Sequence, residues 1–132
     1  MKWSFVLRGQ PPSWNQSYHI TRQKGTRNDG QPYEFSTLSK RQKVIDYQAY
    51  AVLTIRSARP SRWAPEGDVR VTWRIFLTRD IDCDNLMKAV HDSIERATGV
   101  NDRRFLPCVE SKKWGVHQTE ARIEITVEDV VP

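Results

Sequence analysis

Val69-Arg70-Val71-Thr72-Trp73-Arg74-Ile75-Phe76-Leu77, followed within five residues by Asp82-Cys83-Asp84-Asn85-Leu86-Met87-Lys88, is the stretch on which the fold turns. In its first part Val69, Val71, Trp73, Ile75 and Leu77 occupy alternate positions, the period of a strand with one buried face, which predicts a strand over residues 68–78. Its second part is an acidic knot that opens a helix. The helix is predicted from Asn85 to Thr98, with Asp84 as N-cap and Gly99 as the C-terminal stop.

Working outward, Trp3 to Leu7 reads as an opening strand, ended by Gly9 and the Pro11-Pro12 pair. From there to Pro32 the chain is rich in turn formers and bases, which predicts a long loop folding over substrate, with a small hairpin at Asp29-Gly30 as the alternative. A helix is predicted from Thr37 to Ser57 on the spacing of Leu38, Ile45, Ala49, Val52 and Ile55, with Pro60 beyond its end. Lys40, Arg41 and Lys43 crowd its first turns, the unfavourable end for cations. Phe105 to Trp114 and Ala121 to Val127 are predicted to form a hairpin around Gly115. The fold class is α+β: a small mixed or antiparallel sheet with two main helices. At 132 residues the chain is long enough for one core, so a single domain over 1–132 is expected.

The net charge of +5 conceals an asymmetry. Residues 1–62 carry eleven Lys and Arg against three acids, and residues 63–132 carry ten against thirteen. The first half is therefore the part suited to phosphates, and the second the part suited to a cation. The two cysteines, Cys83 and Cys108, form no Cys-x-x-Cys pair, so neither zinc nor a disulfide framework is indicated. The apolar run before Arg8 is too short for a signal peptide and no segment approaches a membrane span, so a cytoplasmic protein is expected.

Closely packed carboxylates repel one another unless they are solvated or share a cation, and hard divalent ions take oxygen ligands. An extended backbone at Asp82–Asp84 puts both carboxylates on one side with Cys83 opposite. Lys88 follows one helical turn after Asp84 and Asp92 one turn after that. The same spacing also fits an N-cap, a surface ion pair between Lys88 and Asp92, and solvated loop acids. An EF-hand is excluded: the glycine position after Asp80, Asp82 and Asp84 holds Asn85, and the terminal glutamate position holds His91. The three histidines show no ligand spacing, and there is no Gly-rich phosphate loop. Asp102, Glu110 and Lys112 match the loose Asp…Glu-x-Lys pattern of restriction-like nucleases. That leaves two other readings open: such a nuclease, or a noncatalytic DNA-binding protein with structural acids.

The order of an opening strand, Pro11-Pro12-Ser13-Trp14-Asn15 with Tyr18, a helix, a strand, Asp82-x-Asp84-Asn85-x-x-Lys88, Asp92 and Asn101-Asp102 resembles the RusA family of Holliday junction resolvases over nearly the whole chain. The resemblance implies a Mg²⁺-dependent endodeoxyribonuclease acting as a homodimer on branched DNA in recombination, repair or phage DNA processing. It implies Asp82, Asp84 and Asp102 as catalytic metal ligands, with Lys88 in support. Where that family often has two adjacent acids, this chain has Asn101-Asp102. Arg22, Lys24, Arg27, Lys40, Arg41 and Lys43 are the candidate DNA contacts, and Trp14 or Tyr18 a candidate stacking residue. Chain geometry adds a constraint. Fourteen helical residues from Asn85 cover about 21 Å, whereas four steps from Thr98 to Asp102 recover at most about 14 Å. Asp102 therefore joins Asp84 only if the helix is shorter or bent, or if Asp102 comes from another subunit.

Overall fold

The computed structural model describes residues 1–12, 18–26, 28–40 and 42–130. Its elements are β1 (Lys2–Arg8), β2 (Tyr18–Thr26), β3 (Pro32–Lys40), α1 (Gln42–Ala58), β4 (Val69–Phe76), α2 (Cys83–Thr98), β5 (Phe105–Lys113) and β6 (Arg122–Asp129). Short 3-10 turns at Asp102–Arg104 and Gln118–Glu120 lead into the last two strands. Two helices and a four-stranded mixed sheet make this an α+β fold. Among the described residues no helix is long and apolar enough to cross a membrane.

The sheet runs in the order β1-β6-β4-β5. β6 pairs antiparallel with both β1 and β4, while β5 lies parallel to β4. Parallel neighbours cannot be joined by a tight turn, and here α2 makes the crossover between them. The expected hairpin of β5 with β6 is therefore corrected: β4 lies between the two strands. Closeness in sequence encouraged the hairpin reading, but the α2 crossover returns the chain to the far side of β4.

Alternation places the core. Trp3, Phe5 and Leu7 of β1, Val69, Val71, Trp73 and Ile75 of β4, and Ile123, Ile125 and Val127 of β6 are all buried on one face. The two helices supply the cover, through Ala51 and Ile55 of α1 and Leu86, Val90 and Ile94 of α2. Opposite, the sheet is open and carries cross-strand charges, with Arg74 3.4 Å from Glu124, and Arg122 stacked 3.9 Å over the Phe76 ring. Buried Trp63 closes the edge of the core, its ring meeting Trp3 edge-on and its Nε1 donating to Asp129 Oδ1 at 2.6 Å. Gly99 stops α2 in the left-handed region at φ 78°, where its N–H reaches Glu95 O.

From Tyr18 onward the hairpin at Asp29-Gly30, the alternative to a long loop, is what forms, and its second strand takes residues 37–40 that were expected to open a helix. β2 and β3 pair antiparallel from Tyr18↔Lys40 to Thr26↔Pro32 as a separate two-stranded sheet. Its turn is the Asn28-Asp29-Gly30 sequence, in which Asp29 Oδ1 accepts from the Gln31 N–H and Gly30 takes φ 84°. The aromatic and β-branched content of Tyr33, Phe35 and Thr37 suits β3, and helix α1 starts only at Gln42.

Ile94 is fully buried beneath α2, whereas Leu53 on α1 is 64% exposed. Ile94→Ala is expected to destabilise the fold by about 3 kcal/mol through lost transfer energy and the cavity left behind. Leu53→Ala should stay within about 0.5 kcal/mol of the parent. Urea unfolding of the two variants checks the difference.

Candidate active site

The acidic knot sits where β4 gives way to α2. Ile81 is buried and anchors the loop, so the residues on either side of it face solvent. α2 begins two residues earlier than expected: Asp82, not Asp84, takes the N-cap position, and its carbonyl accepts from the N–H groups of Asn85 and Leu86. The Asp82 carboxylate makes no capping hydrogen bond. Asp84 lies in the first turn, where the helix dipole favours an anion. The backbone is helical from Cys83, so the alternation expected of an extended segment does not apply here. Asp82, Asp84 and Lys88 are all exposed around this end of the helix. Farther along, Asp92 receives Arg96 at 3.1 Å and Gln48 Nε2 at 3.1 Å.

Asp102 lies elsewhere. Its 3-10 turn is capped by Asn101, whose side chain accepts from the Arg103 N–H, and is clamped by Arg104 on the carbonyls of Pro65 and Gly67. It leads into Phe105, which pairs with Val69 at the start of β4. The acid loop lies at the other end, because Asp80 Oδ1 meets Lys112 Nζ at 2.7 Å. Seven strand steps from Phe105 to Lys112 span about 23 Å, and the sixteen residues of α2 about 24 Å. Within one chain, Asp82 and Asp84 therefore share the start of α2 and Asp102 does not join them. Among the described residues no three His, Cys, Asp or Glu side chains are grouped to hold a metal ion. The two carboxylates at the start of α2 are oxygen donors of the kind a hard divalent cation takes; among the described residues of one chain Asp102 does not complete a three-carboxylate site.

The restriction-like triad is not assembled in one chain either. Glu110 lines a small cleft of about 170 Å³ on the open sheet face with Ser4, Thr72, Arg74 and Glu124. Lys112 turns to Asp80 instead. Its ammonium pKa is held above the ordinary value, chiefly by the hydrogen bond to Asp80 and further by the nearby Cys83 and Asp82. Trp114, 61% exposed, places its ring 6.0 Å from the same ammonium. Neither Lys112 nor Trp114 was assigned to the Asp82 end from sequence; the signal available, an exposed aromatic two residues after a lysine, is common on strands.

Of the candidate DNA contacts, Arg22 and Lys24 fall on β2, Lys40 ends β3 and Lys43 is exposed on α1. Arg27, Arg41 and Trp14 lie outside the described residues. Tyr18 begins β2.

The model of the endodeoxyribonuclease RusA family matches residues 19–128. No curated protein matches the chain. Among solved structures, the chain is 14% identical to a 2C-methyl-D-erythritol-2,4-cyclodiphosphate synthase over 67% of this chain and 51% of that one, with a TM-score of 0.28. It thus spans about half the length of that synthase. It is 10% identical to Plasmodium falciparum IspF in its CDP complex, over 94% of this chain and 92% of that one, with a TM-score of 0.32. At such scores neither likeness bears on fold or function.

His91 packs edge-on between Trp73 and Phe105, at 5.6 Å and 5.4 Å, and its buried Nε2 finds no hydrogen-bond partner among the described residues. Burial pushes its pKa below the ordinary 6.5, against the opposing pull of the Asp102 charge. The folded protein therefore takes up this proton less readily than the unfolded chain. Stability linked to His91 is full above the ordinary value and is lost as the pH falls from there toward the lowered one. Urea midpoints at about pH 7.5 and about pH 5.5, on either side of the ordinary value, are expected to differ less in His91→Phe than in the parent.

Proposed function

This chain belongs to the RusA endodeoxyribonuclease family and is a nuclease, and we propose that it resolves Holliday junctions as a homodimer, by paired symmetric nicks supported by Mg²⁺. The observation that carries the reading is the start of α2, where the Asp82 carboxylate has no capping duty beside an exposed Asp84. A carboxylate at the N-cap position that makes no capping hydrogen bond, with a second acid in the first turn, suits a divalent cation. When bound, Mg²⁺ would polarise the phosphoryl oxygen and lower the pKa of its water.

The protein's own part is to place charge. Asp82 and Asp84 hold the cation, and Lys88, one turn farther along α2, offers positive charge to the scissile phosphate or the departing oxygen. Asp102 completes the metal site from a second copy, because the length of α2 keeps it away in its own chain. A two-fold dimer has an independent rationale: a four-way junction is itself nearly two-fold symmetric and requires two matched cuts. In this reading residues 1–132 act as one domain.

Phosphate contacts come from the basic first half. Arg22 and Lys24 on the β2–β3 hairpin, Lys40 at its end, Lys43 on α1, and Arg27 and Arg41 are the residues assigned to that role. They recognise backbone path more than base identity, so discrimination rests on branched shape. Symmetric nicks are ligatable, which fits recombination, repair or the processing of branched phage DNA.

Incubation of the wild type and Asp84→Asn with a mobile four-way junction and a matched linear duplex, in Mg²⁺ or EDTA, tests the function. Paired symmetric nicks are expected only with wild type, junction and Mg²⁺; junction binding without cutting in any divalent metal would leave a DNA-binding protein. Shared sites are tested by mixing inactive Asp82→Asn and Asp102→Asn proteins. Activity should recover after subunit exchange, and exchange without recovery rejects the sharing.

A further inference from the structure

Lys112 stands where simple alternation along β5 does not put it. Cys108 pairs with Thr72 and Val109 with Trp73, but the next pairs are Ser111 with Arg74 and Lys112 with Ile75. Glu110 is thus an extra residue, and such a bulge reverses which face the following side chains take. Without it Lys112 would share the open face with Cys108. With it, Lys112 shares the helix-covered side with fully buried Ile75, and its ammonium reaches Asp80 at 2.7 Å.

The corner around this contact is built. Leu77 N–H donates to Lys113 O at 2.8 Å, Gly115 N–H to Thr78 O at 3.2 Å and Val116 N–H to Leu77 O at 3.1 Å. Gln10, beyond the end of β1, accepts from the Thr78 N–H at 2.8 Å. The Lys112 side chain is 21% exposed and that of Asp80 54%, so solvent reaches the pair and its value lies in fixing position more than in stability.

We propose that Lys112 is a positioning residue of the Asp82–Asp84 site: it ties the Asp80–Asp82 loop to the end of β5 and sets the charge that the site presents to a divalent cation and to phosphate. The inference rests on the reading that Asp82 and Asp84 hold that cation. Asp80, Asp82 and Asp84 bring three negative charges within five residues, and Lys112 offsets one of them. Its loss would leave the cation more strongly attracted, the DNA phosphate more strongly repelled, and Asp80 untied. Those opposite effects distinguish an electrostatic role from a purely structural one, which would weaken ion binding and cutting together.

The test uses Lys112→Met, Lys112→Arg and Asp80→Asn in the full chain, with Mn²⁺ binding by calorimetry and junction cleavage at saturating Mg²⁺ as readouts. Lys112→Met should bind Mn²⁺ about three- to tenfold more tightly, from the removal of a nearby positive charge, and cut at least about tenfold more slowly. Lys112→Arg, which keeps the charge, should restore both to within about twofold. Asp80→Asn retains a hydrogen-bond acceptor for Lys112 and should weaken Mn²⁺ binding about threefold, so the charge effect is read even if Lys112→Met fails to fold. Wild-type values in Lys112→Met, or unchanged ion binding in Asp80→Asn, would overturn the role of Lys112 alone. A wild type that neither binds Mn²⁺ nor cuts would overturn the metal reading itself, and this inference with it.

Discussion

The parallel pairing of β4 with β5 is the constraint on which the rest of the molecule depends. It requires a crossover, and α2 supplies one of nearly the same length as the strands it spans. The apolar face of that helix, through Leu86, Val90 and Ile94, covers Trp73 and Ile75 and completes the core. Because the crossover runs the full length of the sheet, residues just before and just after α2 are held at opposite ends. Asp82 and Asp84 mark one end and Asp102 the other, and the packing that stabilises α2 also prevents its collapse into a shorter path.

This separation gives the two ends different electrostatic characters. At the start of α2 Asp82 and Asp84 are exposed, and in the loop before them Asp80 meets Lys112 of the edge strand. At the end of α2, Arg104 is spent on backbone carbonyls, while burial against Trp73 and Phe105 disfavours the charged form of His91. On the open face, Arg70, Arg74 and Arg122 are matched by Glu124 and Glu128. These exposed pairs contribute little stability individually, but they occupy the bases of the sheet. Of the bases of the first half, Arg22, Lys24 and Lys40 lie instead on the β2–β3 hairpin and Lys43 at the start of α1, outside that sheet.

Much of the scaffold was readable from local pattern. The alternation in β1, β4 and β6 reports a buried face directly, and Gly99 marks the end of α2 because the left-handed cap favours a residue without Cβ. The turn of the hairpin was legible at Asp29-Gly30, but the extent of its second strand was harder to see: Leu38 falls in helical phase with Ile45 and Val52, although it belongs to a strand that ends before α1 begins. The order of β5 and β6 was not visible at all, since which strand inserts beside which is decided by the crossover and not by either strand's own residues.

By itself the sequence determined that two aspartates stand at a strand-to-helix junction beside a lysine on the same helix, because that arrangement depends on residues within about two turns of one another. The resemblance of that segment to a nuclease family lies in the same short range. Only the tertiary structure decided which distant residues meet those acids. Strand register and one extra residue in β5 bring Lys112 to Asp80, while the length of α2 keeps Asp102 on the far side of the sheet. Register and crossover length are properties of paired elements, and neither leaves a mark on the residues whose meeting it decides.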